Sequence, residues 1–217
     1  MKSSKRSYHQ FCGVAKALDV VGERWTLLIV RNLLVGGQRY KDLIETLPGI
    51  TTNLLATRLR EMSEHGLIAQ RSLPPPANAV VYELTPLGRE LEPVVLALGQ
   101  FGKRYLGQPK RGDRTHVRWA MVSLKRRYLG SKRHITVAID IDGKHAYRFK
   151  TGSTALEVES GPAHASDHAR VSLAGEALRG LLFEGASARS LVKRGAIQIE
   201  GDLDAFYNLV RAVGATA

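Results

Sequence analysis

Two amphipathic stretches that meet across Pro48-Gly49, with a proline-tipped ribbon pattern directly behind them, restrict the first half of this chain to few folds. Residues 51–64 read Thr-Thr-Asn-Leu-Leu-Ala-Thr-Arg-Leu-Arg-Glu-Met-Ser-Glu. At 3.6 residues per turn, Leu55, Leu59 and Met62 stack on one face, while Asn53, Thr57, Arg60 and Glu64 lie opposite, with Ala56 small enough for close approach. Thr51 or Thr52 is placed to cap the helix, so that its first amides can meet a phosphate, and His65-Gly66 stops it. Residues 40–47 form a shorter helix with Tyr40, Leu43, Ile44 and Leu47 inward. Alone, the longer helix would read as a solvated surface element; its flanks make the pair a helix-turn-helix. Residues 67–72 and 80–85 are strand-like runs around Pro74-Pro75-Pro76-Ala77-Asn78, a β-ribbon in the position of a wing.

Charge narrows the partner. The 217 residues carry 32 Lys+Arg against 20 Asp+Glu, a net +12, which favours a polyanion: DNA, RNA or an acidic membrane. A hydrophobic content of 44% with 24% charged residues is that of a globular protein. No apolar run approaches the roughly 20 residues that span a bilayer, and the basic Met1-Lys2-Ser3-Ser4-Lys5-Arg6 precedes no signal-type core, so a cytoplasmic protein with no membrane partner is expected. A single cysteine, Cys12, rules out an internal disulfide or a multi-thiolate zinc site and is expected to be a silent packing residue.

The flanking helices follow the same logic. Residues 11–21 place Val14, Leu18 and Val21 inward, residues 25–35 are nearly all apolar as in a central bundle helix, and residues 86–105 read as one long helix opened by Thr85-Pro86. Leu87, Leu91, Val94, Val95, Leu98 and Phe101 exceed what one small domain can cover, which predicts a dimer seam.

Cys12 with residues 17–29 (Ala-Leu-Asp-Val-Val-Gly-Glu-Arg-Trp-Thr-Leu-Leu-Ile), then Arg39-Tyr40-Lys41-Asp42-Leu43, then Tyr82-Glu83-Leu84-Thr85-Pro86-Leu87-Gly88, closely resembles the HxlR family of bacterial transcription regulators. The resemblance implies a MarR-like winged helix-turn-helix homodimer on pseudo-palindromic double-stranded DNA, a regulator that we read as a repressor, joined through its N-terminal and post-wing helices. On that basis Asn53, Thr57 and Arg60 are expected to meet base edges, Arg39 and Lys41 phosphates, with Thr51, Thr52 and Arg58 completing the set. The wing tip lacks the basic residue that often reaches the minor groove, leaving Arg71 and Asn78 as its nearest candidates. Some members of the family use an N-terminal cysteine as a thiol switch, which makes Cys12 a candidate redox thiol.

A change of pattern marks a second domain. Gly107-Gln108-Pro109-Lys110-Arg111-Gly112-Asp113 reads as a linker, so the division expected is 1–106 for DNA binding, 107–116 as linker and 117–217 as a second domain. Residues 117–129 look helical and basic, with Lys125-Arg126-Arg127, and residues 135–141 and 145–149 alternate as strands around Asp142-Gly143-Lys144. Strands at 155–159, 170–173 and 196–200 and helices at 177–182, 188–193 and 203–213 complete an α+β pattern. Through Val171-Ser172-Leu173 and Gly195-Ala196-Ile197-Gln198-Ile199-Glu200-Gly201-Asp202 this half is similar to sterol carrier protein-like domains, which enclose an apolar tunnel. The resemblance implies a lipid-like or other apolar effector among Val137, Ile139, Tyr147, Phe149, Leu178, Leu182, Phe183, Phe206 and Leu209, although core packing accounts for each of them as well.

His164, Asp167 and His168 are the one compact set of metal-ligand types, but Gly161-Pro162-Ala163 argues for a loop and no further ligand is evident, so no metal is expected. No nucleophile elbow, phosphate-cradling loop or telling acid pair occurs, so neither catalysis nor a cofactor is expected. The alternative to a DNA-binding regulator is a lipid-carrying or membrane-surface protein whose basic patches meet anionic headgroups; gel shift against liposome sedimentation separates the two.

Overall fold

The computed structural model describes residues 7–75, 78–108 and 110–217. The basic N-terminal residues 1–6, Pro76-Ala77 of the ribbon tip and Pro109 of the expected linker lie outside the described residues. The chain separates into two compact units, Met1–Val95 and Leu96–Ala217.

In the first unit, α1 (Gly13–Val21), α2 (Thr26–Leu33), α3 (Tyr40–Thr46) and α4 (Thr52–Glu64) are followed by the ribbon β1 (Ile68–Leu73) and β2 (Ala79–Leu84) and by a short α5 (Pro86–Arg89). The core gathers where the apolar stripes converge: Ile29, Val30 and Leu33 of α2, Leu43 of α3, and Leu55, Leu59 and Met62 of α4 are buried with Val81 and Leu84 of β2. One buried polar pair fixes α2 against α3. The Asn32 amide donates to the Thr46 hydroxyl at 2.9 Å, which satisfies a group that would otherwise cost free energy in the core. The ribbon is antiparallel with Ile68 opposite Leu84, and Gln38 bridges to Tyr82 through reciprocal backbone hydrogen bonds of 3.0 and 2.8 Å, tying the approach to α3 onto the ribbon.

Two expectations fail here. Val14 and Leu18 do not face inward: they are 69% and 42% exposed, and α1 buries only Ala15 and Val21, because none of the described residues covers that face. The single helix over 86–105 is broken into α5 and α6 (Glu92–Gly102), with a 3-10 turn at Lys103–Tyr105. Pro93 explains the break. It lacks the N–H that would bond the Arg89 carbonyl, and its ring crowds that carbonyl, so continuous helix is excluded there. Gly88 sits so close to the Leu67 carbonyl that an added Cβ would lie 2.0 Å from its oxygen, so the turn after the ribbon admits only glycine.

The division between the units falls inside α6, not in the glycine-containing segment expected to link them. Its last turns belong with α7 (Val117–Arg127), where Arg126 Nη1 donates to Gln100 Oε1 at 2.7 Å.

The second unit is α+β. Strands β3 (Thr136–Ile141), β4 (His145–Thr151), β5 (Leu156–Ser160), β6 (Ala169–Leu173) and β7 (Ile197–Gly201) form one mixed sheet in the order β5-β4-β3-β6-β7, with β3 and β6 parallel and all other pairs antiparallel. Helices α8 (Gly175–Phe183) and α9 (Ala188–Lys193) join β6 to β7, and α10 (Leu203–Ala212) follows. Left-handed φ values at Asp142 and Gly143 make the β3–β4 turn, as its Asp-Gly dipeptide predicts. The segment that suggested a sterol carrier-like domain forms β7, as expected, and ends in a turn and a helix cap. Gly201 adopts φ +97 with its α-carbon against the His168 carbonyl, and the Asp202 carboxylate accepts from the Ala205 amide at 3.0 Å to start α10. No helix among the described residues is long and apolar enough to cross a membrane.

Candidate nucleic-acid interface

Asn53, Ala56, Arg60 and Glu64 form an exposed stripe along α4, with Thr57 half-buried among them, opposite the buried Leu55, Leu59 and Met62. The helix is held rigidly for this purpose. The Thr51 hydroxyl accepts from the Leu54 amide at 3.3 Å as its N-cap, and the Tyr40 hydroxyl of α3 donates to the Thr52 carbonyl at 2.6 Å. The turn between α3 and α4 runs through Gly49 at φ +95, where an added Cβ would stand 3.7 Å from the Trp25 ring. Trp25 itself adopts a left-handed φ of 83 at the start of α2, an uncommon conformation for a bulky residue, and the Arg24 guanidinium lies 5.3 Å from its ring centre.

Arg58, expected among the DNA contacts, is engaged within the chain. Its side chain is 13% exposed and pairs with Glu23 at 3.3 Å and with Glu61, so it pins α4 to the segment before α2. Glu61 stands three positions along the same helix, where local spacing allows the pair, whereas Glu23 lies 35 positions away. Lys41 is exposed at the start of α3, in the position expected of a phosphate contact. Arg39 precedes it as the N-cap residue, half-buried, and its amide donates to the Asp42 carboxylate at 3.1 Å. On the ribbon, Arg71 is paired with Glu83 at 2.8 Å, so its charge is partly neutralised rather than open to a groove; Asn78 is exposed at φ 37 beside the tip.

The similarity to known proteins runs through these same elements. The pattern describing the HxlR-like helix-turn-helix family matches residues 20–110. The HTH-type transcriptional regulator sll1512 of Synechocystis sp. is 35% identical over 97 residues, covering 45% of this chain and 72% of the relative. The chain belongs to the HxlR-like helix-turn-helix family. Another relative, the HTH-type transcriptional regulator YodB of Bacillus subtilis, is 36% identical over 78 residues, covering 36% of this chain and 70% of its own. Among solved structures, the redox regulator HypR in its oxidised form shares 31% identity over 43% of this chain and 96% of its own, with a TM-score of 0.40. As an HxlR-like protein this chain carries the helix-turn-helix DNA-binding unit of a transcriptional regulator, and regulators of this type are not enzymes.

Outside α4, the structure revises two further expectations. Cys12 is exposed at the N-cap position of α1, not packed. The Ala15 amide, then the Val14 amide, draw its thiol below the ordinary value, and the opposing effect of desolvation does not cancel them. We therefore expect Cys12 in the folded chain to be alkylated by iodoacetamide faster than the thiol of a short cysteine peptide at pH 7, with its rate profile inflecting at lower pH than the peptide's. Alkylation that required denaturant would restore the silent assignment.

The tunnel expected in the second unit is filled by side chains. Ile139, Phe149, Leu178, Leu182, Phe206 and Leu209 surround a cavity of only about 30 Å³, far below the roughly 300 Å³ at which ligand pockets begin. Val137 and Tyr147 are buried but do not line it, and Phe183 is 64% exposed and cannot be a wall. The set His164, Asp167 and His168 is likewise occupied. Arg148 Nη2 donates to Asp167 Oδ1 at 2.6 Å, the His164 amide donates to Asp167 Oδ2 at 2.7 Å, and His168 Nδ1 accepts from the Thr136 amide at 3.1 Å. In the basic run of α7, Arg127 donates to the Leu182 carbonyl at 2.8 Å and the Gly214 carbonyl at 3.2 Å, so it fastens the fold.

Proposed function

We propose that this chain is a sequence-specific regulator that binds pseudo-palindromic operator DNA as a homodimer and acts as a repressor by occupying it. The observation that carries the proposal is the stripe Asn53, Thr57 and Arg60 on α4, presented outward from a helix fixed by its cap, by Tyr40 and by the Glu23-Arg58-Glu61 cluster. A helix held in this way can enter a major groove with short polar side chains and an arginine at base edges, while Lys41 meets the backbone. The net charge of +12 supplies the long-range attraction.

The dimer is supported by apolar side chains left in water. Phe11, Val14 and Leu18 are exposed on and just before α1, as are Val94, Leu98 and Phe101 along α6, and a second copy would remove them from solvent. Sedimentation is expected to give a dimer at micromolar concentration, and footprinting of selected fragments to give half-sites about 10 to 10.5 base pairs apart, or a multiple. A monomer that bound palindromic DNA with full affinity would overturn the dimeric part. Recovery of no preferred sequence from a random library would overturn the sequence-specific part. A lipid effector forms no part of this proposal, because the apolar cavity of the second unit measures only about 30 Å³ among the described residues.

A further inference from the structure

An open recess of about 300 Å³ lies on the second unit where the segment after α7 passes the end of α10. Its polar lining comes from Ser131, Lys132, Asn208 and Arg211, and no aspartate or glutamate lines it. A helix C-terminus ordinarily repels an anion, because its last carbonyls carry partial negative charge. Here those carbonyls are all occupied: Leu209 accepts from the Val213 amide at 3.1 Å, Val210 from Ala215 at 3.1 Å, Arg211 from Gly214 at 2.9 Å, and Ala212 from Leu129 at 2.7 Å. The one side-chain amide oxygen of the lining is occupied too, since Asn208 Oδ1 accepts from the Ser131 hydroxyl at 2.9 Å. The Ser131 hydroxyl is shared with the Arg133 carbonyl at 2.9 Å, and the charge in the lining is wholly positive: Lys132 and Arg211 are both exposed and without a carboxylate partner among the described residues, with the Asn208 amide nitrogen as a further donor. Leu129, 76% exposed, stands at the rim as an apolar surface beside this group of donors.

The geometry points to a binding site for a small organic anion, its carboxylate or phosphate held by Lys132, Arg211 and Asn208 and a short apolar tail laid on Leu129. The volume is at the small end of the range for ligand pockets, which excludes a long acyl chain. Charge-assisted hydrogen bonds to the two cations supply the affinity.

The test is a titration of the full-length, isotope-labelled chain, followed by backbone amide shifts at constant ionic strength, with hexanoate, hexyl phosphate, inorganic phosphate and hexanol as probes. Saturable shifts confined to residues 129–132 and 208–212 are expected with hexanoate or hexyl phosphate, whichever binds tighter naming the head group, and none with hexanol. The double variant Lys132→Ala/Arg211→Ala is expected to bind at least about tenfold more weakly. Should that variant not fold, Asn208→Asp keeps the acceptor for Ser131, places a carboxylate in the recess and is expected to abolish binding. Shifts that never saturate, that map elsewhere, or that survive either substitution overturn the site. Inorganic phosphate binding as tightly as hexyl phosphate overturns the organic part. No DNA is present, so failure here leaves operator binding untouched.

Discussion

Replacing Asn53 and Arg60 together by alanine is expected to weaken binding to the selected operator by about 2 to 6 kcal/mol, while non-specific binding falls far less. Each side chain stands on the exposed stripe of α4, and a base-edge pair of this kind contributes about 1 to 3 kcal/mol, roughly additively at separate positions. Arginine fits the O6 and N7 atoms of guanine, and asparagine the N6 and N7 atoms of adenine, so each single variant is expected to relax preference at one base position. Lys41→Ala is the control. It is expected to weaken all sequences alike and to lower the salt slope by about one. Competition gel shifts over a salt series measure both quantities. An unchanged ratio of specific to non-specific affinity in Arg60→Ala would show that another element reads the bases.

The largest effect on stability is expected from Asp167→Ala. The Asp167 side chain is fully buried and that of Arg148 is 12% exposed, so the substitution leaves a guanidinium that has lost its hydrogen-bonded partner and keeps only the charge of Glu159 nearby. Losing one partner of a hydrogen-bonded charged pair near the surface costs about 1.5 to 3 kcal/mol. Amide hydrogen exchange along β4 and β6 in the full chain reads this loss in the second unit alone, with α4 as the internal reference. Burial pushes the Asp167 carboxyl up, but the Arg148 hydrogen bonds and the His164 amide outweigh it and hold the group below the usual carboxylate range. A folded-state pKa below the unfolded one means that this contribution is present above about pH 3.9 and is lost as the pH falls through the folded value. The variant is therefore expected to show a flatter acid limb. Protection factors within tenfold of the parent's would show that water reaches Arg148 and that the pair matters little.

His164, Asp167 and His168 also show where a sequence stops being informative. Their spacing suggests metal chemistry, whereas Asp167 pairs with Arg148 and His168 accepts from the Thr136 amide, 19 and 32 positions away. The same holds for the arginines of the first unit. Arg58 and Arg60 are two residues apart on one helix and chemically identical, yet Glu23 claims the first and leaves the second to solvent. Some local signals were present and outweighed by others. Pro93 stood four residues after Arg89 and marked the end of α5, but the unbroken apolar period from Leu87 to Phe101 concealed it.

By itself the sequence determined most of the elements and their order. Helical stripes, the Thr51 and Asp202 caps and the Asp142-Gly143 turn act within a few residues, so local chemistry suffices to place them. The ordered segments from residue 17 to Gly88 likewise carried the family. Only the tertiary structure decided which charged groups already have partners, which apolar residues fill a core and which stay in water. Val14, Leu18 and Phe183 have inward-looking periods but face solvent, the expected tunnel closed into about 30 Å³, and Cys12 lies open at a helix start. The physical reason is that burial and charge pairing are settled by neighbours distant in the chain, and periodicity names the face of a helix without naming what that face meets.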